Sequence, residues 1–223
     1  MEKHAYDTKK YYFRKVAEDY LGTSSLEKIH EEDEFEGILT AIDGEFADQG
    51  QALHRKFYDR MDQDNLLKER YDHFIKEVVA PLFDEEIYFQ KYPTFRIHQP
   101  DNIAVFAFHR DRDYNHPAGE INIYLPITKA YGSNTVWVES KDGEGDFSPI
   151  EAEYGEIFLW DGNNLEHGNK LNDTGETRIS IDFRVIKKSD YNKIKEKKGS
   201  VSNNTKFEIG HYYDKIPAFM QSR

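Results

Sequence analysis

The 223-residue sequence predicts an α+β fold in which helices come first and an antiparallel jelly roll follows. Two patterns carry this. Up to about residue 85, apolar side chains recur at three- and four-residue steps. From about 86 to 187 they gather instead into short β-branched and aromatic runs, cut by Gly, Pro, Asn and Asp. Composition adds a third observation: 38% hydrophobic, 14% aromatic and 32% charged residues describe a polar chain that still has ample material for a packed core. The length suits one large domain. A single domain over 1–223 is expected, with 1–85 as helical support, 86–187 as the jelly-roll core and 188–223 as a tail docking back on it.

The elements follow in order. Tyr12, Phe13, Val16 and Tyr20 fall at helical spacing. Ser24-Ser25-Leu26-Glu27 has the form of a capping box opening a further helix. Leu53, Phe57 and Met61, then Leu67, Tyr71, Phe74, Ile75, Val78 and Val79, form two amphipathic stretches broken near Asp62–Asp64, and Pro81 is placed to end the second. Strands are expected at Ile87–Tyr92, Thr94–Gln99, Ile103–His109, Ile121–Ile127, Thr135–Glu139, Ile157–Trp160 and Thr177–Ile186. Lysines then flank a short helical segment, Gly199–Thr205 reads as a flexible stretch, and Phe207, Ile209, Tyr212, Tyr213 and Ile216 supply apolar material for docking.

Several functions are disfavoured from the start. With no cysteine there are no disulfides, thiolate metal sites or cysteine nucleophiles. A net charge of −12 opposes nucleic acid as a partner. No run is long and apolar enough for a membrane helix, and the MEKHAYDTKKYYF start carries no signal core, so a cytoplasmic protein is expected. A small-molecule substrate is the expected partner. Any metal must be held by His, Asp and Glu, which suits iron or manganese.

The chemistry concentrates in Phe108-His109-Arg110-Asp111, at the end of an expected strand. Side chains two apart in an extended segment point the same way, so His109 and Asp111 are placed to grip one ion. His167, in the later Glu166-His167-Gly168, can complete a two-histidine, one-carboxylate face if the strands roll up. Such a face leaves adjacent coordination positions open, as non-haem Fe(II) oxygenases require. Eleven residues on, Arg178 and Ser180 share a strand face, with Asp182 and Arg184 continuing it. A guanidinium fork with a hydroxyl beside it matches the distal carboxylate of 2-oxoglutarate. His98 and His116 are set aside as ligands, because His98-to-Asp101 has the wrong spacing and Pro117 and Gly119 oppose a helix joining His116 to Glu120. His4, His30, His54, His73 and His211 are read as surface or packing residues.

The segment from about Arg96 to Val185 resembles the Fe(II)/2-oxoglutarate dioxygenase superfamily, and within it the phytanoyl-CoA-dioxygenase-like branch. The matching text is His109-Arg110-Asp111-Arg112-Asp113-Tyr114, Gly119 to Pro126, Asn134 to Ser140, Tyr154-Gly155-Glu156, Asp161-Gly162, His167-Gly168-Asn169 and Arg178 to Val185. The resemblance implies a double-stranded β-helix, the cupin-like jelly roll. It implies Fe(II) on His109, Asp111 and His167, 2-oxoglutarate on Arg178 with Ser180 beside it, and O₂ as co-substrate. The implied reaction couples decarboxylation of 2-oxoglutarate to succinate with hydroxylation of an unactivated C–H bond. Because Asp111 stands where related halogenases carry a small residue, hydroxylation is expected rather than halogenation.

The expected substrate is a small polar metabolite, of the sugar, nucleotide-sugar or natural-product-intermediate classes. Asn122 and Tyr124 share a strand face, opposite Ile121, Ile123 and Leu125, and are expected to line the interior. Asn122 is a candidate on the co-substrate side. Trp137 and Glu139 on their own shared face, with Arg96, Tyr114, Tyr124 and Asn169, are the substrate candidates. Two alternatives stand beside this reading. The Arg178/Arg184 pair, six apart, resembles the DNA-repair alkyl demethylases, against which the acidic charge argues. A non-oxidative cupin-like isomerase or binding module would usually offer His-x-His and a Glu, where this chain has His-x-Asp.

Overall fold

The computed structural model describes residues 1–32, 52–104, 107–195 and 206–216. The chain opens on a strand, β1 (Glu2–Ala5), where the sequence pattern predicts only helix. Four residues are too few to show a period of two, and only pairing with a late strand defines them. Helix α1 (Phe13–Leu21) buries Phe13, Val16, Ala17, Tyr20 and Leu21. The expected capping box is absent. Ser25 makes no side-chain cap, and Leu26–Glu31 is a 3-10 turn. The reason is competition: the Glu27 carboxylate is taken by the Arg14 guanidinium in two bonds of 2.6 and 2.9 Å. Helices α2 (Ala52–Gln63) and α3 (Leu66–Phe74) follow the amphipathic stretches, and the chain leaves α3 through a π turn (Ile75–Val79) and a 3-10 turn containing Pro81 (Ala80–Leu82).

The strands are β2 (Ile87–Gln90), β3 (Thr94–His98), β4 (Glu120–Pro126), β5 (Val136–Val138), β6 (Ser148–Pro149), β7 (Glu156–Trp160), β8 (His167–Asn169) and β9 (Arg178–Lys187), then helix α4 (Lys188–Lys195) and β10 (Tyr213–Lys215). They form two antiparallel sheets. The larger runs β1-β7-β4-β9-β2-β10, with β3 also on β9, and the smaller runs β6-β5-β8. The expected strand at 103–109 is not present among its described residues; His109 makes only an isolated bridge to His167. The chain departs from ladder pairing there because Asp101 and Asn102 are bonded instead to Asn172, at 2.8 and 3.0 Å.

Strand β9 is the spine of the larger sheet. It pairs with β4 on one side and with β3 and then β2 on the other. Its odd positions Ile179, Ile181, Phe183 and Val185 enter the core shared with the helices, as do Ile123, Leu125, Ile157 and Leu159. There Phe57 of α2 stacks on Phe95 of β3 with ring centroids 3.5 Å apart, and Tyr71 of α3 meets Phe183 edge-on at 5.1 Å. The helices thus cover the outer face of the larger sheet, and the inner face is left for the polar even positions of β9.

The C-terminal segment docks as its apolar residues suggest. Strand β10 pairs with β2, and Tyr213 is fully buried with Tyr88, Ile186 and Tyr191. The Gly199–Thr205 stretch lies outside the described residues. Among the described residues no helix is long and apolar enough to cross a membrane.

Candidate metal centre and carboxylate pocket

A cavity of about 290 Å³ lies between the two sheets, with β3, β4, β7 and β9 on one wall and β5 and β8 on the other. Alternation along β9 turns Arg178, Ser180, Asp182 and Arg184 into it. Asn122 and Tyr124 of β4 line it too, directly opposite Arg184 and Asp182 in the ladder.

At one end His109, Asp111 and His167 converge, each offering one ligand atom, all within 4.8 Å of one another. The two histidines are bridge partners whose backbones exchange two hydrogen bonds of 2.9 Å. Asp111 does not continue an extended segment. Arg110 is extended, and Asp111 opens a 3-10 turn (Asp111–Tyr114) that ends at Asn115 with φ 63°. The Asp111 N–H donates to the Gly162 carbonyl at 3.0 Å. Two glycines permit this convergence. A Cβ on Gly168 would lie 3.0 Å from the Phe108 backbone and ring, and one on Gly162 would lie 2.4 Å from the Asn122 amide.

Both imidazoles are oriented from behind. Nδ1 of His109 lies 2.9 Å from the Ala107 carbonyl, and Nδ1 of His167 lies 2.9 Å from the Leu165 carbonyl. Donation from those nitrogens leaves both Nε2 lone pairs for the cavity, facing Asp111 Oδ1 at 3.7 and 3.8 Å. Arg184 forks onto the Asp111 carboxylate at 2.8 and 2.9 Å, and the Asn122 amide adds a third donor at 2.8 Å. Burial raises the Asp111 pKa, but the Arg184 charge and bonds, aided by His167 and His116, outweigh it and hold the carboxyl below its ordinary range. Burial pushes His167 down to about 4, against the pull of Asp111. A carboxylate and neutral imidazoles are the donor set a divalent cation takes. The residues present therefore fit an iron-type ion.

At the other end Arg178 is buried, 1% exposed. Its Nε donates to the Asn134 carbonyl at 2.8 Å and its Nη1 to the Ser180 hydroxyl at 2.9 Å. No carboxylate among the described residues pairs with it. The other two cavity arginines are engaged: Arg184 by Asp111, and Arg96 by Asp182 at 3.0 Å.

The remaining sequence candidates divide. Arg96, Asn169 and Tyr124 line the cavity. Tyr114 is exposed outside it, edge-on to His109 at 5.2 Å. Trp137 is not in the lining; it donates to the Gly132 carbonyl and carries the Lys170 ammonium 3.2 Å above its ring. Glu139 is not available to a substrate, because it is fully buried and bonded to Arg110 and to three backbone N–H groups. Trp160 lines the cavity beside His167 and had no motif to reveal it. His98 sits between the Asn134 and Asn102 carbonyls. His116 does reach Glu120, at 2.7 Å, across a loop rather than along a helix.

Two facing antiparallel sheets with a His-x-Asp and a distant His at one end of the space between them give the protein a β-helix fold of the Fe(II)/2-oxoglutarate-dioxygenase-like kind. The chain belongs to the family of the streptomycin biosynthesis protein StrG of Streptomyces griseus, with which it is 35% identical over 193 residues, 86% of this chain and 90% of the relative. No family model matches it. Solved structures similar to it include the non-heme monooxygenase ThoJ in its nickel complex (13% identity, TM-score 0.46, 82% of this chain and 71% of that one). EctD from S. alaskensis with bound Fe is a second (14%, 0.46, 83% and 71%). The non-heme alpha ketoglutarate dependent epimerase SnoN from nogalamycin biosynthesis is a third (13%, 0.45, 58% and 59%).

Proposed function

We propose that the protein is an Fe(II)- and 2-oxoglutarate-dependent oxygenase that hydroxylates a C–H bond of a small polar metabolite. One observation carries the reading: a buried Arg178, with no carboxylate partner among the described residues, lines the same 290 Å³ cavity as His109 and His167 of the preorganised His109/Asp111/His167 group. A buried cation without a counter-charge is costly, and an anionic ligand removes the cost. A keto diacid reaching from the metal to the guanidinium satisfies both ends.

Bound iron would supply the activation of O₂, with the overall balance R–H + 2-oxoglutarate + O₂ → R–OH + succinate + CO₂. The chain does the rest. His109 and His167 present Nε2 because their Nδ1 groups are tied to backbone carbonyls. Arg184 and Asn122 keep Asp111 ionised and fix its rotamer. Arg178 and Ser180 orient the far carboxylate by charge-assisted bonds. The polar lining by Asn122, Tyr124, Asn169 and the Arg96–Asp182 pair suits a hydroxylated substrate. The streptomycin biosynthesis relative supports a natural-product or sugar-linked one.

The test is succinate production from Fe(II), 2-oxoglutarate and panels of polyols, aminocyclitols and nucleotide sugars. Substrate-stimulated succinate, lost in Asp111→Ala, is expected. Turnover that survives Asp111→Ala would break the ligand assignment.

A further inference from the structure

Glu139 is a carboxylate with no access to solvent, no position in the cavity and no place in the reaction above. Its two oxygens nevertheless accept four hydrogen bonds. Oε1 takes Arg110 Nη2 at 3.0 Å and the Glu166 N–H at 2.7 Å. Oε2 takes the N–H groups of Gly143 at 3.0 Å and Gly145 at 3.2 Å. A carboxylate has about four lone-pair sites, and here all are used.

The two residues it ties together have particular positions. Arg110 stands between the ligands His109 and Asp111. Glu166 immediately precedes the ligand His167. Neighbours along an extended chain point to opposite sides, so while the ligands face inward, Arg110 is turned outward, to where Glu139 waits. Arg110 Nη2 also reaches Glu166 Oε2 at 3.1 Å, and the Glu139 N–H donates to the Glu166 carbonyl at 3.0 Å.

We propose that Glu139 and Arg110 form a positioning clamp behind the metal centre, holding the His109/Asp111 segment and the His167 segment at the separation one divalent ion requires. This rests on the metal-centre reading of His109, Asp111 and His167. On the inner side the two segments are joined by the His109–His167 backbone bridge and by the Asp111 N–H to the Gly162 carbonyl at 3.0 Å; on the outer side Arg110 Nε reaches the Asn164 carbonyl at 3.1 Å, and Glu139 ties Arg110 to the Glu166 N–H. A buried, fully bonded carboxylate does that with little slack, since each of its donors would be orphaned by movement. Neither residue touches the ion or the reactants.

The test is metal binding by chelator-stripped protein: Ni(II) titration calorimetry for affinity and Co(II) absorption for coordination geometry. Glu139→Gln keeps size, but its amide NH₂ confronts the Gly143 and Gly145 N–H groups, so part of the clamp is lost. Arg110→Lys keeps charge and loses the fork. Expected are one Ni(II) per wild-type chain, none in His167→Ala, and affinity reduced about tenfold or more in Glu139→Gln, the range for groups that support metal ligands. The Co(II) spectrum of Glu139→Gln should change. Arg110→Lys should move both readouts in the same direction, and it keeps the test open if Glu139→Gln does not fold. Wild-type affinity and an unchanged Co(II) spectrum in the folded variants, even with a lower metal-free unfolding midpoint, overturn the clamp alone. No Ni(II) binding by the wild type overturns the metal centre and the clamp with it.

Discussion

His109 and His167, 58 positions apart in the chain, exchange both backbone hydrogen bonds, the N–H of each donating to the carbonyl of the other at 2.9 Å. This bridge fixes their Cα separation before any ion arrives. Their rings stand 4.6 Å apart with Nδ1 turned away, so the metal-facing nitrogens are a property of the folded chain alone. Pre-setting donors in this way lowers the ordering cost that a metal would otherwise have to repay.

Gly168→Ala should loosen that bridge. The added methyl falls 3.0 Å from Phe108 Cα, and backbone cannot yield as a side-chain tip can. A loss of about 1–3 kcal/mol in chemical denaturation is expected, the cost of overpacking. Weaker Ni(II) binding should accompany it. Unchanged stability and affinity would mean the two segments have room to spare.

Arg178→Met removes the guanidinium and keeps the bulk. If the arginine holds the far carboxylate of 2-oxoglutarate, charge-assisted bonds worth about 1.5–3 kcal/mol are lost, so the co-substrate should bind roughly 10- to 150-fold more weakly. Ni(II) affinity should stay near wild type, since Arg178 makes no bond to the ligand side chains. Equal 2-oxoglutarate affinity in the variant would place the keto diacid elsewhere.

His54 sets a pH dependence. It is fully buried and edge-on to Phe95, and among the described residues neither ring nitrogen makes a hydrogen bond within ordinary distance and angle limits. Burial, then the Arg96 and Arg178 charges, push it down to about 3. The unfolded chain, with an ordinary histidine near 6.5, therefore binds the extra proton first, and stability falls as pH drops from about 6.5 toward 3. The slope from this residue is about 1.4 kcal/mol per pH unit. His54→Leu should flatten the acid limb and leave stability at pH 7 unchanged or raised, because a hydrocarbon side chain is buried without the imidazole's desolvation cost. A variant with the wild-type acid slope, followed by circular dichroism in urea, would assign the acid sensitivity to another group.

Tyr213→Phe probes the C-terminal dock. Its hydroxyl donates to Glu120, a buried carboxylate that also meets His116 at 2.7 Å and lies 4.0 Å from Arg184. Removing one donor from a buried carboxylate should cost about 1–3 kcal/mol in a urea titration. A variant within experimental error of wild type would show that His116 and Arg184 suffice for Glu120.

Much of this molecule is written locally. The alternation of Arg178, Ser180, Asp182 and Arg184 with Ile179, Ile181 and Phe183 declares a strand with one polar and one apolar face, because side chains in an extended chain alternate whatever surrounds them. The helical spacing of Leu53 and Phe57, and of Leu67, Tyr71 and Phe74, is equally local. So are the residue types a metal needs, His-x-Asp and a later His. Tertiary structure decided what depends on a distant partner. Strand β1 exists because β7 pairs with it, Ser25 fails to cap because Arg14 claims Glu27, and Asp111 turns into a 3-10 segment held by Gly162. Glu139 looks like a substrate group beside Trp137, yet four donors from three stretches of chain make it an internal tie. A carboxylate's partners are chosen by proximity in space, and sequence spacing carries no record of which distant N–H groups will surround it.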